Sequence, residues 1–552
     1  MEKVFGIDLG TTYSCISYVD EYGKPVVVQN FENERTTPSV VFFDDNGEVI
    51  VGSVAKNMLK VNPEKVVAFI KRDMGNPGYL YTCDGKDYKP EEISSFILRK
   101  LVKDASENAG FEIKDVVITC PAYFGINERE ATKIAGEIAG LNVKAIINEP
   151  TAAAIAYGTD KVENQTVLVY DLGGGTFDIT MIRVQPEKVE VVVTGGDHYL
   201  GGKNWDDALM GYFAACFAEQ TGVQDDIFSD AETSGNLQLS AEDAKKTLTA
   251  RDKANVNVIF GADRAKIEVT REKFNEITGS LAERTISLTT QMLEEAKTAK
   301  GVASFDKILL VGGSTRMPQI REILEKTFPG VPIETFDPDE SVAKGAAIYG
   351  QQLAVNGELV RKIAEQTGKK EEDIDIGKVS ETDLNKAAQS VAGATGLSIG
   401  SIKKSAQTKI VNVVSKSFGI KVRVDGKDDK ISNIILKQTS VPAEVTQNFS
   451  TLEDNQAAVD IDVYENEYAQ PIVEISQSKE IGNGVIEGLP PNLPSGSPLQ
   501  VTFRIDESGL LDITAVDMTG KRELRFQIQT ADGITPEEVE AAKKRSAGIR
   551  VS

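Results

Sequence analysis

Short apolar runs that end at glycine, proline or a carboxylate recur along the first 350 residues of the chain. The clearest runs of valine, isoleucine and leucine are residues 4–7, 115–118, 145–147, 166–170 and 307–311. Runs of this kind, bounded by turn residues, predict buried strands. Residues 91–108 and 271–300 instead place apolar side chains at helical spacing. The mixture predicts an α/β fold for this region.

The hydrophobic pattern changes after residue 410. From Ser417 onward, short runs of alternating apolar and polar residues are separated by Gly, Asn or Pro about every ten residues, which is typical of an all-β region. Between the two regions, residues 358–367 and 382–392 carry helical patterns. The chain therefore divides into an α/β region, a helical segment and an all-β region.

Composition and charge narrow the class of protein. The 552 residues exceed what one hydrophobic core can organise, so that length alone predicts roughly three to four domains. The net charge of −23 argues against nucleic acid as the main partner, because a phosphate backbone requires a basic surface. No apolar run approaches the ~20 residues of a membrane span, and the N-terminus lacks signal-peptide features.

The cysteines and the single histidine argue against several kinds of site. Cys15, Cys83, Cys120 and Cys216 are widely separated, which indicates neither a zinc site nor a disulfide framework and favours a reducing, cytoplasmic compartment. His198 is the only histidine, so a triad built on a second histidine and most histidine-based metal sites are excluded. We interpret His198 itself as structural.

The strongest candidate for chemistry is the turn Asp171-Leu-Gly-Gly-Gly-Thr-Phe-Asp178. Three glycines let the backbone turn tightly, and the inward amide groups of such a turn can hold phosphate. The two flanking carboxylates would repel a bare phosphate, so a divalent metal or its bound water is expected between them. The Thr176 hydroxyl could contact the phosphate or an attacking water. A simple hairpin turn is an equally weighted alternative for this stretch alone.

A near copy of this turn lies at the start of the chain. Residues 4–13 read Val-Phe-Gly-Ile-Asp-Leu-Gly-Thr-Thr-Tyr, again an apolar strand followed by Asp, Leu, Gly and hydroxyl side chains. The repeat predicts a duplicated lobe with two phosphate-binding hairpins facing each other across a cleft. Neither turn is a Walker A loop, which would need a Gly-Lys-Ser/Thr ending and a following helix. A third strand-to-glycine turn occupies residues 307–316.

Charged residues near the ends of predicted elements are further candidates. Lys71 ends an apolar run and is either a solvated strand end or a group that neutralises charge developing on phosphate. Glu149 ends a predicted strand before a helix, where catalytic groups of α/β sheets are found, although a helix-cap role is about as compatible. Glu242, Lys245 and Lys246 share a predicted helix, where such charges usually form a solvated face.

Four motifs stand in order along this region. They are Gly6-Ile-Asp-Leu-Gly-Thr-Thr12, Ile147-Asn-Glu-Pro-Thr-Ala-Ala153, Asp171-Leu-Gly-Gly-Gly-Thr-Phe-Asp178 and Val311-Gly-Gly-Ser-Thr-Arg316. Together they resemble the signatures of the seventy-kilodalton heat-shock chaperones, the DnaK-type family. The resemblance runs from residue 2 to residue 350 or so. It implies an actin-like, two-lobed domain that hydrolyses ATP with Mg²⁺ and K⁺.

The resemblance also implies roles for individual residues. The group around the γ-phosphate and the attacking water would be Lys71, Glu149, Thr176 and Asp178. Mg²⁺ would be held through its waters by Asp8 and Asp171. The remaining nucleotide contacts would be Thr11, Thr12, Tyr13, Gly173, Gly174, Gly175, Thr176, Gly201, Gly202, Lys203, Glu242, Lys245, Lys246, Thr249, Gly312, Gly313, Ser314, Arg316 and Asp339. Phosphoryl transfer relies mostly on positioning and charge stabilisation and needs no histidine, which agrees with this set.

Several positions bear on how the nucleotide would be bound and sensed. The family usually has arginine and serine where this chain has Lys246 and Thr249, so that stacking of a planar guanidinium on adenine is weakened. Lys203 stands where the family usually carries an acid. Pro121 and Arg129 match the proline and arginine that relay the nucleotide state towards the substrate domain.

The chain departs from the family beyond residue 350. Residues 353–409 stand where the family has a short linker with a run of leucines framed by aspartates. The candidate remnant of that linker is Thr408-Lys-Ile-Val-Asn-Val-Val414, which lacks the acidic frame. The usual coupling between the two domains is therefore in question.

The C-terminal region resembles the family's substrate-binding part. Residues 410–530 are similar to the β-sandwich that binds extended peptides. Asn448 aligns with the central apolar pocket, where a buried amide would alter the preference for leucine-rich peptides, while Phe449 is kept. Residues 531–552, with Thr535 as cap and Pro536 at the first helical position, resemble a truncated start of the helical lid. Fast peptide exchange is the expected consequence.

The leading hypothesis is an ATP-dependent chaperone with four parts. These are a nucleotide-binding domain (1–352), an atypical helical linker segment (353–409), a β-sandwich (410–530) and a truncated lid helix (531–552). The expected partners are unfolded or extended polypeptides, a J-domain co-chaperone and a nucleotide exchange factor, without nucleic acid or membrane. One alternative is a chaperone-like adaptor that binds ATP without hydrolysing it. A small-molecule kinase on the same fold is disfavoured by the β-sandwich.

Overall fold

The computed structural model describes residues 3–158, 164–507, 509–527 and 535–552. Within these ranges the chain is a mixed α/β protein whose strands belong to several separate sheets. None of the helices in the described part of the chain has the length and apolar character needed to cross a membrane.

The first half of the α/β region, residues 3–148, is organised by one mixed sheet. Its elements are β1 (Val4–Asp8), β2 (Tyr13–Val19), β3 (Pro25–Val27), β4 (Thr37–Pro38), β5 (Val40–Phe43), β6 (Val49–Val51), α1 (Ser53–Asn57), β7 (Val66–Ala68), β8 (Tyr81–Cys83), β9 (Lys86–Tyr88), α2 (Pro90–Ala109), β10 (Asp115–Cys120), α3 (Ile126–Ile138) and β11 (Asn142–Asn148). The sheet order is β11-β10-β1-β2-β3. β1, β2 and β3 are antiparallel neighbours, whereas β10 and β11 are parallel to β1.

The second half, residues 149–340, repeats this arrangement. Its elements are α4 (Glu149–Gly158), β12 (Gln165–Leu172), β13 (Phe177–Gln185), β14 (Lys188–Asp197), α5 (Gly202–Thr221), α6 (Ala231–Ala250), β15 (Lys253–Phe260), β16 (Asp263–Thr270), α7 (Arg271–Lys300), β17 (Lys307–Val311), α8 (Pro318–Thr327) and β18 (Ile333–Thr335). The order β18-β17-β12-β13-β14 has the same directions, three antiparallel strands followed by two parallel ones. The repeated Asp-Leu-Gly motif thus corresponds to a repeated sheet topology.

Two helices lie between the sheets and join the halves. α9 (Ser341–Thr367) contacts β1 and β2 on one side and α4 on the other. Gly6 in β1 allows this approach, because a Cβ atom there would stand 2.1 Å from the backbone nitrogen of Ala347. One apolar core contains residues from both sheets and from both helices. The halves are therefore packed around a common centre.

The segment that stands in place of a short linker is a small helical unit. The second part of α9 packs against α10 (Glu381–Thr395) and α11 (Ile399–Gln407), and both helical patterns expected from the sequence lie within α9 and α10. The three helices share a core of their own, formed by Val355, Leu359, Ile363, Leu384, Ala387, Ala388, Val391 and Ile402.

The candidate linker remnant, residues 408–414, joins the second sheet. Its strand β19 (Lys409–Val413) runs parallel to β14 and extends that sheet beyond the repeat. On its other side β19 pairs with a two-residue strand, Ser440–Val441, from the C-terminal region. One short segment therefore connects the α/β region with the all-β region through backbone hydrogen bonds.

The C-terminal region consists of two antiparallel sheets that share one apolar core. After β19 its strands are β20 (Ser417–Val424), β21 (Lys427–Ile435), β22 (Ser440–Val441), β23 (Ala443–Ser450), β24 (Ala458–Asn466), β25 (Ile472–Glu474), β26 (Lys479–Glu487), β27 (Pro498–Ile505), β28 (Leu511–Asp517) and β29 (Glu523–Gln527). The sheet orders are β25-β21-β20-β24-β26 and β23-β27-β28-β29. The common core includes Phe418, Ile461, Val463, Phe503 and Ile513.

Asn448 lies on the exposed face of its strand. Along β23 the side chains alternate between exposed and half-buried positions, with Asn448 exposed and Phe449 packed against the shared core. Successive side chains of a strand point to opposite faces, so Phe449 and Asn448 cannot both face inward. Asn448 is thus not part of the core that the two sheets share, and the altered preference for leucine-rich peptides stays a prediction.

The C-terminal helix packs on the α/β region. α12 (Pro536–Ala547) begins with Thr535 as its capping residue and Pro536 in its first turn, as the sequence indicates. Residues 531–534, part of the same expected segment, lie outside the described residues. The helix contacts α2 and α3, and Val551 beyond it forms a bridge to Val49 of β6.

Candidate functional site

A cavity of about 450 Å³ separates the two halves where the β1–β2 and β12–β13 turns face each other. Most of the candidates from the sequence line it. They are Asp8, Thr11, Thr12, Tyr13, Lys71, Glu149, Asp171, Gly173, Gly174, Thr176, Glu242, Lys245, Lys246, Thr249, Gly312, Gly313, Ser314, Arg316 and Asp339. The cavity thus brings together residues from positions 8 to 339 of the chain.

The two glycine turns are in direct contact. An ideal Cβ atom at Gly174 would lie 2.2 Å from the Thr12 hydroxyl oxygen, so any side chain at this position would overlap Thr12. Gly175 approaches Thr11 in the same way. Because both turns are held by such close approach, their backbone amides and hydroxyls converge on one part of the cavity.

A cluster of buried carboxylates lies beside the turns. Asp8 and Asp171 are at the ends of β1 and β12, and Glu149 is ion-paired with the buried Lys71. Burial, followed by the charge of Glu149, raises the pKa of Asp8 to about 7 and that of Asp171 well above its usual range. Burial lowers the pKa of Lys71, but Glu149 and Asp8 outweigh it, so that the pKa is raised. Lys71 is the one positively charged side chain described in this cluster, whereas Asp8, Glu149 and Asp171 are acidic, so an additional cation would be stabilised there.

This cluster fits a hydrated divalent cation. The described residues hold no group of three or more acidic, cysteine or histidine side chains placed for direct coordination of a metal. Mg²⁺ usually keeps several waters and takes only one or two carboxylates together with substrate phosphates. Asp8 and Asp171, which face the cavity beside the phosphate-binding turns, match that requirement.

Asp178 lies behind the second turn. Its carboxylate accepts a hydrogen bond from the backbone N–H of Tyr123 at 3.1 Å, and it does not line the cavity within the described ranges. Burial and then Glu149 raise the pKa of Asp178 to about 7. Asp178 therefore interacts electrostatically with the carboxylate cluster although it is not among the described lining residues.

The far end of the cavity is bridged by charged side chains from both halves. Glu242 pairs with Lys56 at 2.6 Å and with Lys246 at 2.7 Å, and it accepts a hydrogen bond from the Tyr13 hydroxyl. Burial raises the pKa of Glu242, but the two lysines more than offset this and lower it to about 2. Lys246 is thereby bound to Glu242 and Tyr13. Lys245 instead donates to Asp206 and to the Gly202 carbonyl.

A few candidates are placed around the cavity and not on its surface. Lys203 pairs with Asp207 at 2.8 Å, and neither Lys203 nor Gly201, Gly202 or Gly175 is among the described lining residues. Other lining residues were not singled out from the sequence, namely Gly10, Thr36, Asp206, Met317, Pro338 and Val342. They reach the cavity by chain folding and carry no motif, apart from Gly10, which belongs to the first turn.

Arg129 lies in α3, where the α/β region meets the C-terminal sheets. Its guanidinium donates to the Phe124 carbonyl at 3.2 Å and to the side chain of Asn148. A Cβ atom at Gly509, in the β27–β28 connection, would lie 3.4 Å from Arg129 Cδ. Arg129 therefore contacts both the α/β region and the C-terminal region.

Known proteins resemble this chain over nearly its whole length. The family model described as "Hsp70 protein" matches residues 4–82, 77–364 and 376–550. Proteins named "Chaperone protein DnaK" from two strains of Halobacterium salinarum are each 37% identical over 547 residues, which cover 98% of this chain and 77% of each relative. On these matches, the chain belongs to the Hsp70 protein family.

Proposed function

We propose that this protein is an ATP-dependent molecular chaperone that binds exposed apolar segments of unfolded polypeptides. The observation that carries the proposal is the meeting of two glycine turns, a Lys71–Glu149 ion pair and two aspartates in one cavity. In this interpretation residues 1–352 form an actin-like ATPase domain, 353–409 a helical linker segment and 410–530 a β-sandwich, and residues 531–552 correspond to the start of a lid helix. ATP, Mg²⁺ and K⁺ are the proposed cofactors.

The cavity is suited to phosphoryl transfer to water. The amides of the two turns and the hydroxyls of Thr11, Thr12 and Thr176 would hold the phosphates. Mg²⁺, held through water by Asp8 and Asp171, would neutralise phosphate charge. Lys71 adds a positive charge, and Glu149, fixed by Lys71, can accept a hydrogen bond from the attacking water.

The opposite end of the cavity would bind the nucleoside. Glu242, Lys245, Lys246 and Thr249 form one side, and Gly313, Ser314 and Arg316 form the other, with Asp339 paired to Arg316. Lys246 is paired with Glu242 and donates to Tyr13, and its ammonium lacks the planar group with which an arginine stacks on adenine.

The described contacts also support coupling between hydrolysis and client binding. Asn412 of β19 accepts a hydrogen bond from Thr151, which is two residues from Glu149. β19 continues into the C-terminal sheets through its pairing with Ser440 and Val441. The nucleotide state can therefore act on the β-sandwich through β19, despite the missing acidic frame. A J-domain protein and a nucleotide exchange factor are the proposed partners, and the cytoplasm the proposed compartment.

Single-turnover ATP hydrolysis tests the proposal. The intact protein should hydrolyse bound ATP, and an unfolded peptide should accelerate the reaction. Thr176→Ala should lower the rate by about 10²-fold or more, because a group beside the reacting phosphate is lost. Hydrolysis by the intact protein that equals that of Thr176→Ala would reject the ATPase and support the non-catalytic adaptor. Hydrolysis that does not respond to peptide would reject coupling alone.

A further inference from the structure

Arg72, the neighbour of Lys71, crosses from the first half of the α/β region to the second phosphate-binding turn. It lies in a short 3₁₀ helix, Ile70–Asp73. Its Nε and Nη2 atoms donate to the carbonyl oxygen of Gly175 at 3.0 and 2.7 Å. Nη2 also donates to Asn204 Oδ1 at 2.9 Å and to the Tyr199 carbonyl at 3.3 Å. One guanidinium thus holds the turn and the start of α5.

The bond to Gly175 controls the direction of the next amide group. In a planar trans peptide the carbonyl oxygen and the following N–H point in opposite directions. When Arg72 holds the Gly175 oxygen on its own side, the N–H of Thr176 must point away from Arg72. Thr176 lines the cavity, so Arg72 influences a residue at the phosphates without lining the cavity itself.

The same contacts fix the support beneath the turn. Asn204 Oδ1, which accepts from Arg72, also accepts from the backbone N–H of Gly201 at 2.9 Å. The N–H groups of Gly202 and Lys203 donate to the carbonyls of Gly173 and Gly174. The turn and the α5 N-terminus therefore form one hydrogen-bonded unit, and Arg72 contacts it from the opposite half.

The chemistry at this position requires arginine. The acceptors of Arg72 are uncharged oxygen atoms, and burial lowers its pKa, an effect only partly offset by Asp207 and Asp197. A guanidinium stays protonated in proteins, so its positive charge persists beside the turn. One planar guanidinium can also donate hydrogen bonds to the Gly175 carbonyl and to Asn204 at the same time. The ammonium of a lysine cannot reproduce this geometry.

We propose that Arg72 is a positioning residue for ATP hydrolysis. It holds the Gly175–Thr176 peptide from across the cleft, so that Thr176 faces the γ-phosphate only when the two halves are closed around the nucleotide. This inference rests on the proposed ATPase activity.

Two substitutions at one position test it. Arg72→Ala should lower the single-turnover rate at saturating ATP by about 10- to 100-fold, as expected for misplacement of a reacting group. ADP affinity should change by less than about threefold, because the nucleoside contacts are untouched. Arg72→Lys retains the charge and should keep the thermal midpoint near that of the intact protein while remaining slow. Arg183→Gln is the control. It removes an arginine of β13 that pairs with Glu190 of β14, and it should keep the full rate.

A double substitution separates positioning from general destabilisation. If Arg72 acts through Thr176, then Arg72→Ala should slow hydrolysis much less in a Thr176→Ala background than in the intact protein. Equal effects in both backgrounds, or an Arg72→Lys variant with the full rate, would overturn the inference. Absence of hydrolysis in the intact protein would instead reject the ATPase activity on which the inference rests.

Discussion

His198 is enclosed by aromatic rings where the α/β region meets the C-terminal sheets. Its ring is stacked on Phe124 at 5.3 Å between centroids and lies 5.2 Å from the ring of Tyr123. Burial, assisted by the positive charge of Lys416, lowers its pKa from 6.5 to about 4. Nearby Glu465, Asp197 and Glu467 oppose this shift without cancelling it. His198 is therefore neutral at neutral pH and packs between aromatic rings, while its structural role stays an interpretation.

This environment predicts a pH dependence of stability. The unfolded chain takes up a proton at His198 near pH 6.5, but the folded protein does so only near pH 4. The contribution of neutral His198 to the free energy of unfolding is thus present above pH 6.5 and is lost as the pH falls towards 4. Acidification from pH 7.5 to pH 5 should therefore lower the free energy of unfolding by about 1–2 kcal/mol through His198.

Thermal or denaturant unfolding of the intact protein and His198→Gln at the two pH values measures the effect. The variant should lose less stability on acidification, since all other titrating groups are common to both proteins. The same acid-induced loss in both would contradict the assignment.

The helical segment α9–α11 holds the start of β19. The Gln352 side chain donates to the carbonyls of Ser405 and Thr408 at 2.9 and 2.6 Å. Lys409, the next residue, donates its backbone N–H to the Glu187 carbonyl at 2.8 Å. Since the core of this segment fixes α11 against α9, it also limits the positions available to β19.

Weakening the core of the segment should therefore loosen β19. Leu359 is fully buried in that core, and Leu359→Ala should destabilise the segment by about 2–5 kcal/mol. Hydrogen exchange at the amides of Ile410 and Val411 should become faster, because local opening of the segment frees the strand.

Gln389→Ala is the control, since Gln389 is exposed on the same helical unit. If exchange in β19 is unchanged in Leu359→Ala while α10 and α11 exchange faster, the segment and the strand are independent.

At the scale of the whole molecule, Gln438 and Lys437 connect the C-terminal sheets with the α/β region. Gln438 donates from Nε2 to the Thr194 carbonyl at 2.8 Å and accepts the Thr194 N–H at 3.1 Å. Its own carbonyl accepts from Lys300 at 2.7 Å, and Lys437 pairs with Glu295 at 2.8 Å. The buried side chain of Gln438 thus forms hydrogen bonds with both the N–H and the carbonyl of Thr194 in β14.

Removing this side chain should favour separation of the two regions. Gln438→Ala would leave the N–H and carbonyl of Thr194 without these partners, at a cost of about 1–3 kcal/mol for each buried group. Small-angle X-ray scattering should show a larger radius of gyration for the ATP-bound variant than for the ATP-bound intact protein.

Gln470→Ala, at an exposed position in the same C-terminal region, serves as the control. An unchanged radius of gyration for Gln438→Ala would show that this contact does not hold the regions together.

Much of the fold follows from local sequence patterns. Apolar runs predict the strands of both sheets, and the repeated Asp-Leu-Gly turn predicts the topological repeat, because strand and turn formation depend on residues a few positions apart. Most of the candidate nucleotide residues also come together in the cavity. Among the described residues, Lys203 does not line this cavity, since a motif specifies residue types but not the direction of each side chain.

From the residues alone, the glycine turns, the Asp-Leu-Gly repeat and the helical periods could be derived, because their causes are backbone conformation and near-neighbour spacing. Only the folded chain decides that Lys71 meets Glu149, that Arg72 holds Gly175, and that α12 packs on α2 and α3. These contacts join residues from 78 to more than 400 positions apart. Their free energies arise only after the core has brought distant segments together, so no local pattern in the sequence encodes them.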